Sequence, residues 1–287
     1  MSLFGIDVSV NNGTVNWGKA KTGGVDFAMI KASQGRAVTS SAYLFTDSRF
    51  AANIKGATAV GMPVGVYHYL TAKTVAEANK EADYFLSVIA PYRGKITLWA
   101  AVDVEEDRYL PISNRWLLTT IVDAFVVRVR AAGYKAMIYT NRSYMTQYLD
   151  MSGLRYIDIW QAHWSKTKPD DCGNDLKIWQ HEVRGSAADV SARPQRATVV
   201  GSVPGVTGAI DCNYGYFTLP STTAEKPIES IAAGSKVKIL PNAKYTTGTA
   251  VPSRLIGSVQ TVTSVGADNA YIAALVSRIK LEGLQLV

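Results

Sequence analysis

Eight short apolar segments, each of the kind that forms a buried strand, constrain the fold of this chain more than any other feature. They cover residues 4–8, 27–32, 63–70, 97–104, 135–139, 156–162, 176–180 and 208–212. Stretches with helical periodicity separate the early segments, which is the pattern of βα units with parallel strands. Eight strands of this kind predict a barrel of the (β/α)₈ type.

Three stretches between the early segments predict helices. Thr74 and Glu77 have the spacing of a capping box ahead of apolar residues on one helical face. Ser113 can cap a second helix that runs to Arg130. A third helix is expected over residues 43–57.

The second half of the chain departs from this pattern. The gaps 162–176 and 180–208 are rich in Gly, Ser, Pro and charged residues and show no helical periodicity. We therefore expect an irregular α/β barrel whose final strands are joined by loops.

The composition changes after Phe217. Residues 218–230 have the Thr, Ser, Pro, Glu and Lys content of an exposed linker, and short β-like pieces separated by turns follow. We predict a barrel domain over 1–217 and a small all-β domain over 231–287, the size of an SH3-like barrel. The small domain has two acidic residues, Asp268 and Glu282, against six basic ones: Lys236, Lys238, Lys244, Arg254, Arg278 and Lys280.

Overall composition narrows the classes of function. Of 287 residues, 47% are hydrophobic and 18% are charged, and no apolar run approaches the length of a bilayer span. The net charge of +7 suits a polyanion, which can be nucleic acid, an acidic membrane or an anionic cell-wall polymer. The cysteines, Cys172 and Cys212, are too few for a disulfide framework and are free or form at most one bridge.

Two carboxylates end the apolar segment at residues 99–105. Alternate side chains of a strand share a face about 6.5–7 Å apart, so Asp103 and Glu105 are expected to project together beyond the strand. Two carboxylates this close perturb each other's pKa. One can be held protonated by apolar residues around it and act as a proton donor, while the other stays ionised. On spacing alone, a solvated strand end without chemistry is the more common case.

The other expected strand ends carry further acids and several aromatic rings. In a parallel barrel these ends meet at one opening. Acids can protonate a glycosidic oxygen and flat rings stack on sugars, so the set favours a carbohydrate substrate. His68 fits a hydrogen-bonded core histidine better than a catalytic base. The positions are Asp7, Ser33, Gln34, Tyr67, His68, Tyr69, Tyr139, Trp160, Gln161, Trp179, Gln180, Asp211 and Asn213.

Seven ordered blocks at these ends resemble those of the glycoside hydrolase family 25 lysozymes, the Chalaropsis type. The resemblance spans residues 4 to about 217 and implies N-acetylmuramidase activity on bacterial peptidoglycan and an irregular barrel with helix-poor final strands. The blocks are Phe-Gly-Ile-Asp-Val-Ser (4–9), Ile-Lys-Ala-Ser-Gln-Gly (30–35), Gly-Val-Tyr-His-Tyr (65–69), Val-Asp-Val-Glu-Glu (102–106), Ile-Tyr-Thr-Asn (138–141), Ile-Trp-Gln (178–180) and Ile-Asp-Cys-Asn (210–213).

The resemblance also implies roles for individual residues. Glu105 resembles the general acid and Asp103 its partner carboxylate, while Asp7 and Asp211 resemble two further catalytic acids. Gln34 stands where the family often has Glu, which weakens the case for an essential charge at that position. Trp160 and Trp179 can either stack on sugars or pack at the rim of the barrel. The candidate substrate-binding residues are Tyr67, Tyr139, Trp160, Trp179, Gln34 and Asn213.

Other ligands and settings can be weighed from the same residues. The histidines and cysteines have no zinc-binding spacing and no phosphate-binding glycine motif is present, so we expect neither a metal nor a cofactor. The C-terminal domain faintly resembles bacterial SH3-like cell-wall-binding domains, which implies binding to anionic wall polymers. We expect no nucleic-acid or membrane partner, and the sequence does not specify an oligomeric state.

Two classes of function fit this picture. The first is a muramidase, most plausibly a phage lytic enzyme made in the host cytoplasm without a signal peptide and acting on the wall after release. The second is a non-catalytic wall-binding protein that keeps the barrel as a lectin. Retention of all four acids together favours the enzyme.

Overall fold

The computed structural model describes residues 2–36, 44–105, 110–191, 198–220, 234–241, 243–265, 269–275, 277–280 and 284–286. The chain divides into two compact units, Met1–Pro220 and Ser221–Val287. Most of the predicted linker, 221–230, lies outside the described residues.

The first unit combines strands and helices. Its strands are β1 (Leu3–Val8), β2 (Phe27–Gly35), β3 (Leu44–Thr46), β4 (Val64–Tyr69), β5 (Ala100–Asp103), β6 (Ala136–Asn141), β7 (Asp158–Ala162), β8 (Asp175–Gly185), β9 (Thr198–Val200) and β10 (Ile210–Gly215). Its α-helices are α1 (Trp17–Thr22), α2 (Phe50–Ala59), α3 (Val75–Ile89), α4 (Arg115–Ala131) and α5 (Ala187–Ser191). Short 3₁₀ turns cover Val10–Asn12 and Ala90–Lys95, and a π-helical turn covers Tyr144–Tyr148.

Eight strands close into a barrel in the order β1, β2, β4, β5, β6, β7, β8, β10, with β10 paired to β1. All eight predicted strands are present, and the irregular α/β barrel is confirmed. The expectation that all eight run parallel is wrong for β10, which is antiparallel to β8 and β1. β10 begins beside the carboxyl end of β8, where β9, an additional strand parallel to β8, also lies, and from there β10 runs back.

Helix caps explain where the main helices begin. Thr74 Oγ1 accepts a hydrogen bond from Glu77 N at 3.2 Å, as predicted, but Glu77 Oε2 accepts from Lys73 N at 2.7 Å, not from Thr74 as in a capping box. Asn114, not Ser113, caps α4, because its Oδ1 accepts from Leu117 N at 3.0 Å. Among the helices described, none combines the length and apolar character that a membrane crossing requires.

Side-chain alternation along the strands separates two apolar layers. The outer layer lies between the barrel and its helices and includes Ile30, Val66, Val102 and Phe125. The inner layer fills the barrel, and its strand residues are Phe27, Met29, Tyr67, Ala101, Met137, Tyr139, Trp160, Ala162 and Ile178. Leu219 also packs against this inner layer, so the chain stays in contact with the barrel beyond the predicted domain end at 217. Cys172 and Cys212 are both free.

His68 belongs to the outer layer. Its Nδ1 lies 2.8 Å from Ser33 Oγ and its Nε2 lies 2.8 Å from Glu81 Oε2. All three side chains are inaccessible to solvent. This confirms the interpretation of His68 as a hydrogen-bonded core histidine and supplies its partners, Ser33 and Glu81.

The second unit is built from short antiparallel strands. They are β11 (Lys236–Ile239), β12 (Val259–Thr261), β13 (Ser264–Val265), β14 (Asn269–Ile272), β15 (Ser277–Lys280) and β16 (Leu284–Leu286). The strands form two three-stranded sheets, β12-β11-β16 and β13-β14-β15. A separate core of Val237, Ile239, Ala270, Ile272 and Ile279 lies between the strands and turns of this unit. Its likeness to an SH3 domain stays a prediction.

Candidate active site

Strand register determines which side chains share the interior at one end of the barrel. Tyr69 lies opposite Asp103, Asp103 opposite Tyr139, and Tyr139 opposite Trp160. Residues paired across neighbouring strands point to the same face of a sheet. These residues therefore form an inward-facing row from β4 to β7.

The reversed strand β10 completes the row from the other side. Asp7, near the carboxyl end of β1, lies opposite Asp211, near the amino end of β10. Asp211 was expected at the carboxyl end of a parallel strand, and this is wrong. Because β10 runs backward, its amino end lies beside the carboxyl end of β1, and Asp211 reaches the same opening as Asp7.

Two buried phenols mark the point where the carboxylates converge. Tyr67 and Tyr139 are 8% and 6% exposed. Burial, and then the negative charges of the same four carboxylates, raise the pKa of each phenol well above its usual range. Both hydroxyls therefore stay protonated and can donate hydrogen bonds. The four carboxylates are Asp7, Asp103, Glu105 and Asp211.

Asp7 is held by two amides. Its Oδ2 accepts hydrogen bonds from Gln180 Nε2 at 2.9 Å and from Asn213 Nδ2 at 2.8 Å. Gln180 Oε1 in turn accepts from Tyr139 Oη at 2.8 Å, and Asn213 Oδ1 accepts from Trp160 Nε1 at 2.8 Å. The network fixes the Asp7 carboxylate in one orientation and ties it to the aromatic wall of the site.

Asp103 is the most deeply buried acid of the pair that ends β5. It is 4% exposed, and its Oδ1 receives no hydrogen bond from any described residue. Burial, followed by the charges of Glu105 and Asp7, raises the pKa of Asp103 well above its usual range, while Lys31 opposes the shift. The site therefore contains a buried carboxylate whose protonated form is favoured and which has one buried acceptor atom without a donor among the described residues.

Glu105 lies beyond the last residue of β5 and is exposed. Its Oε2 is 3.4 Å from Tyr139 Oη, so it faces the same opening as the inward row. The expectation that apolar neighbours enclose Glu105 is wrong, because the strand ends before it and leaves its side chain at the rim.

Three of the residues predicted to bind substrate have other contacts. Trp160 is 1% exposed, with Tyr67 and Tyr139 packed edge-on against it, so neither face of the indole is open to a sugar. Asn213 is fully buried and both of its amide groups are used. Trp179 is 4% exposed in the outer layer, where its Nε1 donates to His163 O at 2.7 Å. The prediction that these three residues contact the substrate is therefore wrong, and they support the wall of the barrel instead.

Gln34 occupies the rim as expected. It is half-buried at the end of β2, opposite Tyr69, and its Nε2 donates to the backbone oxygen of Gly35 at 3.4 Å. A neutral amide at this position leaves the negative charge of the site to the four acids.

Three further residues contribute to the site but were not predicted to bind substrate or to act in catalysis. Gln180 links Asp7 to Tyr139, and Lys31 lies over the ring of Tyr69 with 4.8 Å between Nζ and the ring centroid. Trp164 follows β7 and is a half-exposed indole packed against the inner layer. Side chains alternate along each strand, and Asp103 and Tyr67 point inward. The same alternation could have identified Lys31, opposite Tyr67, as an inward-facing residue. Trp164 lies in a loop, where there is no such periodicity.

The arrangement suits general acid and base catalysis, in which protons are given to and taken from the atoms of a polar, uncharged bond. One exposed acid and one buried acid stand side by side, and protonated phenols lie beneath them. Within the described ranges, no three His, Cys, Asp or Glu side chains converge closely enough to hold a metal ion. The geometry is that of a cleft in which a proton can be delivered and a developing positive charge stabilised.

Comparisons with known proteins agree with this chemistry. Lysozyme M1 of Streptomyces globisporus is 29% identical over 208 residues, covering 69% of this chain and 68% of that protein. The crystal structure of a bacterial lysozyme from Streptomyces coelicolor has a TM-score of 0.58 at 26% identity, covering 76% of this chain and 94% of its own. The CTP1L endolysin has a TM-score of 0.58 at 25% identity, covering 74% of this chain and 66% of its own.

The family is shown by a match to more than half of the chain. Residues 6–190 fit the sequence model of the family described as Glycosyl hydrolases family 25. The matched segment contains Asp7, Asp103 and Glu105, while Asp211 lies beyond it on the strand that closes the barrel. This chain belongs to family 25 of the glycosyl hydrolases.

Proposed function

We propose that this glycoside hydrolase is an N-acetylmuramidase, which cleaves the β-1,4 bond between N-acetylmuramic acid and N-acetylglucosamine in bacterial peptidoglycan. The observation that carries the proposal is the convergence of four carboxylates on two buried tyrosines at the open end of the barrel. The names of the lysozyme relatives support the choice of peptidoglycan.

Glu105 is assigned as the general acid. Its exposed position at the rim allows a glycosidic oxygen to reach the carboxyl group, and Tyr139 Oη lies 3.4 Å from its Oε2. A bound sugar would displace water from this carboxyl group and so favour its protonated form. The substrate thereby supplies the enclosure that the free protein lacks.

Asp103 is assigned to the substrate's 2-acetamido group. Its Oδ1 is buried and has no donor in the free protein, so a side-chain shift on binding would let it accept from the acetamido N–H and orient the acetamido oxygen for attack on the anomeric carbon. The ionised carboxylate would then stabilise the positive charge of the oxazolinium-like intermediate, with Asp7 and Asp211 close by. That charge favours the ionised form of Asp103 during the reaction, although burial raises its pKa in the free protein.

Substrate assistance is preferred to direct attack by Asp103 on geometric grounds. Asp103 and Glu105 stand two residues apart at the end of one strand, whereas a nucleophile stands across the sugar ring from its acid. The proposed route gives net retention at the anomeric carbon. Inverted product by NMR, or a covalent sugar ester trapped on Asp103, would contradict this route without affecting the muramidase assignment.

Analysis of reducing ends tests the bond that is cleaved. Purified peptidoglycan is digested with the full chain, reduced with borohydride and examined by mass spectrometry. We expect reduced muramic acid at the new ends. Reduced glucosamine would contradict the muramidase assignment, and wall binding without any new ends would support the lectin alternative.

The second unit is proposed to bind anionic cell-wall polymers. Along β11, Lys236 and Lys238 are exposed while Val237 and Ile239 are buried, so one face of the strand presents cations. Exposed cations attract polyanions over roughly 10 Å at moderate ionic strength. This unit would therefore add affinity for the wall without taking part in the chemistry.

Removal of residues 221–287 tests this division of labour. We expect the fragment 1–220 to keep its turnover on soluble glycan fragments, because the four acids and the barrel core lie within it, and to bind whole walls more weakly. Lys236→Gln with Lys238→Gln in the full chain provides a control that preserves the fold and should weaken wall binding in the same direction. Equal wall binding by the fragment and the full chain would contradict the targeting role.

The biological setting is proposed to be phage-driven lysis, with action at the bacterial cell wall. The likeness to the CTP1L endolysin supports this setting. Cytoplasmic expression in a susceptible bacterium should cause lysis only after the membrane is permeabilised. Lysis that needs no permeabilisation would contradict release through a damaged membrane.

A further inference from the structure

Lys31 places a cation among the acids of the site. It is half-buried on β2, opposite Tyr67 on β4. Its Nζ lies over the ring of Tyr69, 4.8 Å from the centroid. Tyr69 is opposite Asp103 on the next strand, β5. The lysine side chain therefore crosses β4 in the direction of Asp103.

An extended lysine covers more than half of the distance between β2 and β5. Neighbouring strands are about 4.8 Å apart, so β2 and β5 are separated by about 10 Å. An extended lysine spans about 6 Å of this, and the inward-pointing aspartate covers part of the remainder. Lys31 and Asp103 make no direct ion pair, but their charges act on each other across a partly water-excluded interior.

The neighbouring carboxylates differ in what they can offer to Lys31. Asp47, Asp103 and Glu105 each act on its ammonium group by charge. Asp47 is already engaged, because its oxygens accept from Val10 N and Arg49 N, both at 2.9 Å. Asp103 is the buried acid whose Oδ1 has no donor among the described residues. The electrostatic need for a cation is therefore greatest at Asp103.

We infer that Lys31 is a positioning residue for the reaction: its ammonium group is the counter-charge that favours the ionised form of Asp103. The inference rests on the proposed function, in which Asp103 must be ionised to stabilise the reacting sugar. It adds a basic residue to a site that otherwise consists of acids, phenols and amides.

The surrounding charges determine the direction of the effect. Burial and the carboxylates of Glu105 and Asp7 raise the pKa of Asp103, and Lys31 lowers it. Burial lowers the pKa of Lys31, while Asp103, Asp47 and Glu105 raise it. Removing the cation leaves only influences that favour protonated Asp103. The acid limb of the pH–rate profile should therefore move to higher pH.

The test compares Lys31→Met with Lys31→Arg in the full chain, using kcat against pH on soluble glycan fragments. An opposite charge within about 4–6 Å typically lowers an aspartate pKa by about 1–3 units. We expect the acid-limb midpoint of Lys31→Met to rise by about one pH unit or more, and that of Lys31→Arg to stay within a few tenths of a unit of the wild-type value. Coincident midpoints in all three proteins would overturn the inference.

A second measurement covers the case in which Lys31→Met has no turnover. A ¹³C-NMR titration of the aspartate carboxyl groups, assigned with Asp103→Asn, reads the Asp103 pKa directly in the folded protein, and Lys31→Gln replaces Lys31→Met if the latter does not fold. An unchanged Asp103 pKa would overturn the inference. Failure of the proposed function is distinguishable, because the wild-type protein would then release no muramic-acid reducing ends.

Discussion

Glu105→Gln is expected to lower the rate of peptidoglycan hydrolysis by about 10²- to 10⁴-fold, the usual cost of losing a positioned general acid. Because Glu105 is exposed and lies after β5, the substitution removes no core contact, and the fold should persist. The measurement is turnover on purified walls and on soluble fragments. A variant that keeps half of the wild-type rate would refute the assignment.

An acid role can be separated from other roles by the leaving group. A substrate with a weakly basic aryl leaving group needs little protonation, so Glu105→Gln should lose much less activity on it than on the natural bond. Equal losses on both substrates would point to substrate positioning. Asp83→Asn, which removes a charge from the exposed surface of α3, is a matched control and should keep the wild-type rate.

Asp103→Asn is expected to lower kcat by about 10²- to 10³-fold with little change in KM, since a buried charge that acts on the transition state is lost. The same change should make the protein more stable at neutral pH. Burial raises the pKa of Asp103 in the folded state, so its ionisation opposes folding.

The sign of the stability effect depends on pH. A group whose pKa is higher in the folded state favours folding below its unfolded pKa, about 3.9 for Asp, and this contribution is lost as the pH rises through the folded value. Asp103→Asn should therefore unfold at a higher temperature than the wild type at pH 7 and at nearly the same temperature near pH 3. A lower Tm at pH 7 would show that the attraction between ionised Asp103 and Lys31 outweighs the cost of burying the charge.

The fold could be predicted where local patterning decides it. Each barrel strand is an apolar run that buries both faces, so its existence followed from composition alone. The direction of β10 could not be predicted. The polar stretch before it contains β9, a three-residue strand whose pairing at the carboxyl end of β8 is a tertiary event. Short strands of this kind leave little local signal.

The acids of the site could be predicted from the sequence, but the roles of the aromatic residues in the barrel wall could not. Asp7, Asp103, Glu105 and Asp211 were located by motif and by position at strand ends. The two tryptophans were not, because exposure depends on which face a residue occupies. Trp160 points inward but is covered by Tyr67 and Tyr139, which pack edge-on against it. Trp179 and Gln180 are adjacent on β8, so only one of them can point inward. The inward position went to the amide.

The pairing of β10 with β1 has a consequence for synthesis. Asp7 is made at the start of the chain, yet its amide partners Gln180 and Asn213 follow 173 and 206 residues later. A nascent chain on the ribosome therefore carries three of the four acids without the strand that orders them. Contacts of such long separation form late in folding. Wall-degrading activity should consequently appear only once β10 has left the exit tunnel, so the growing polypeptide is inert until its catalytic unit is nearly complete.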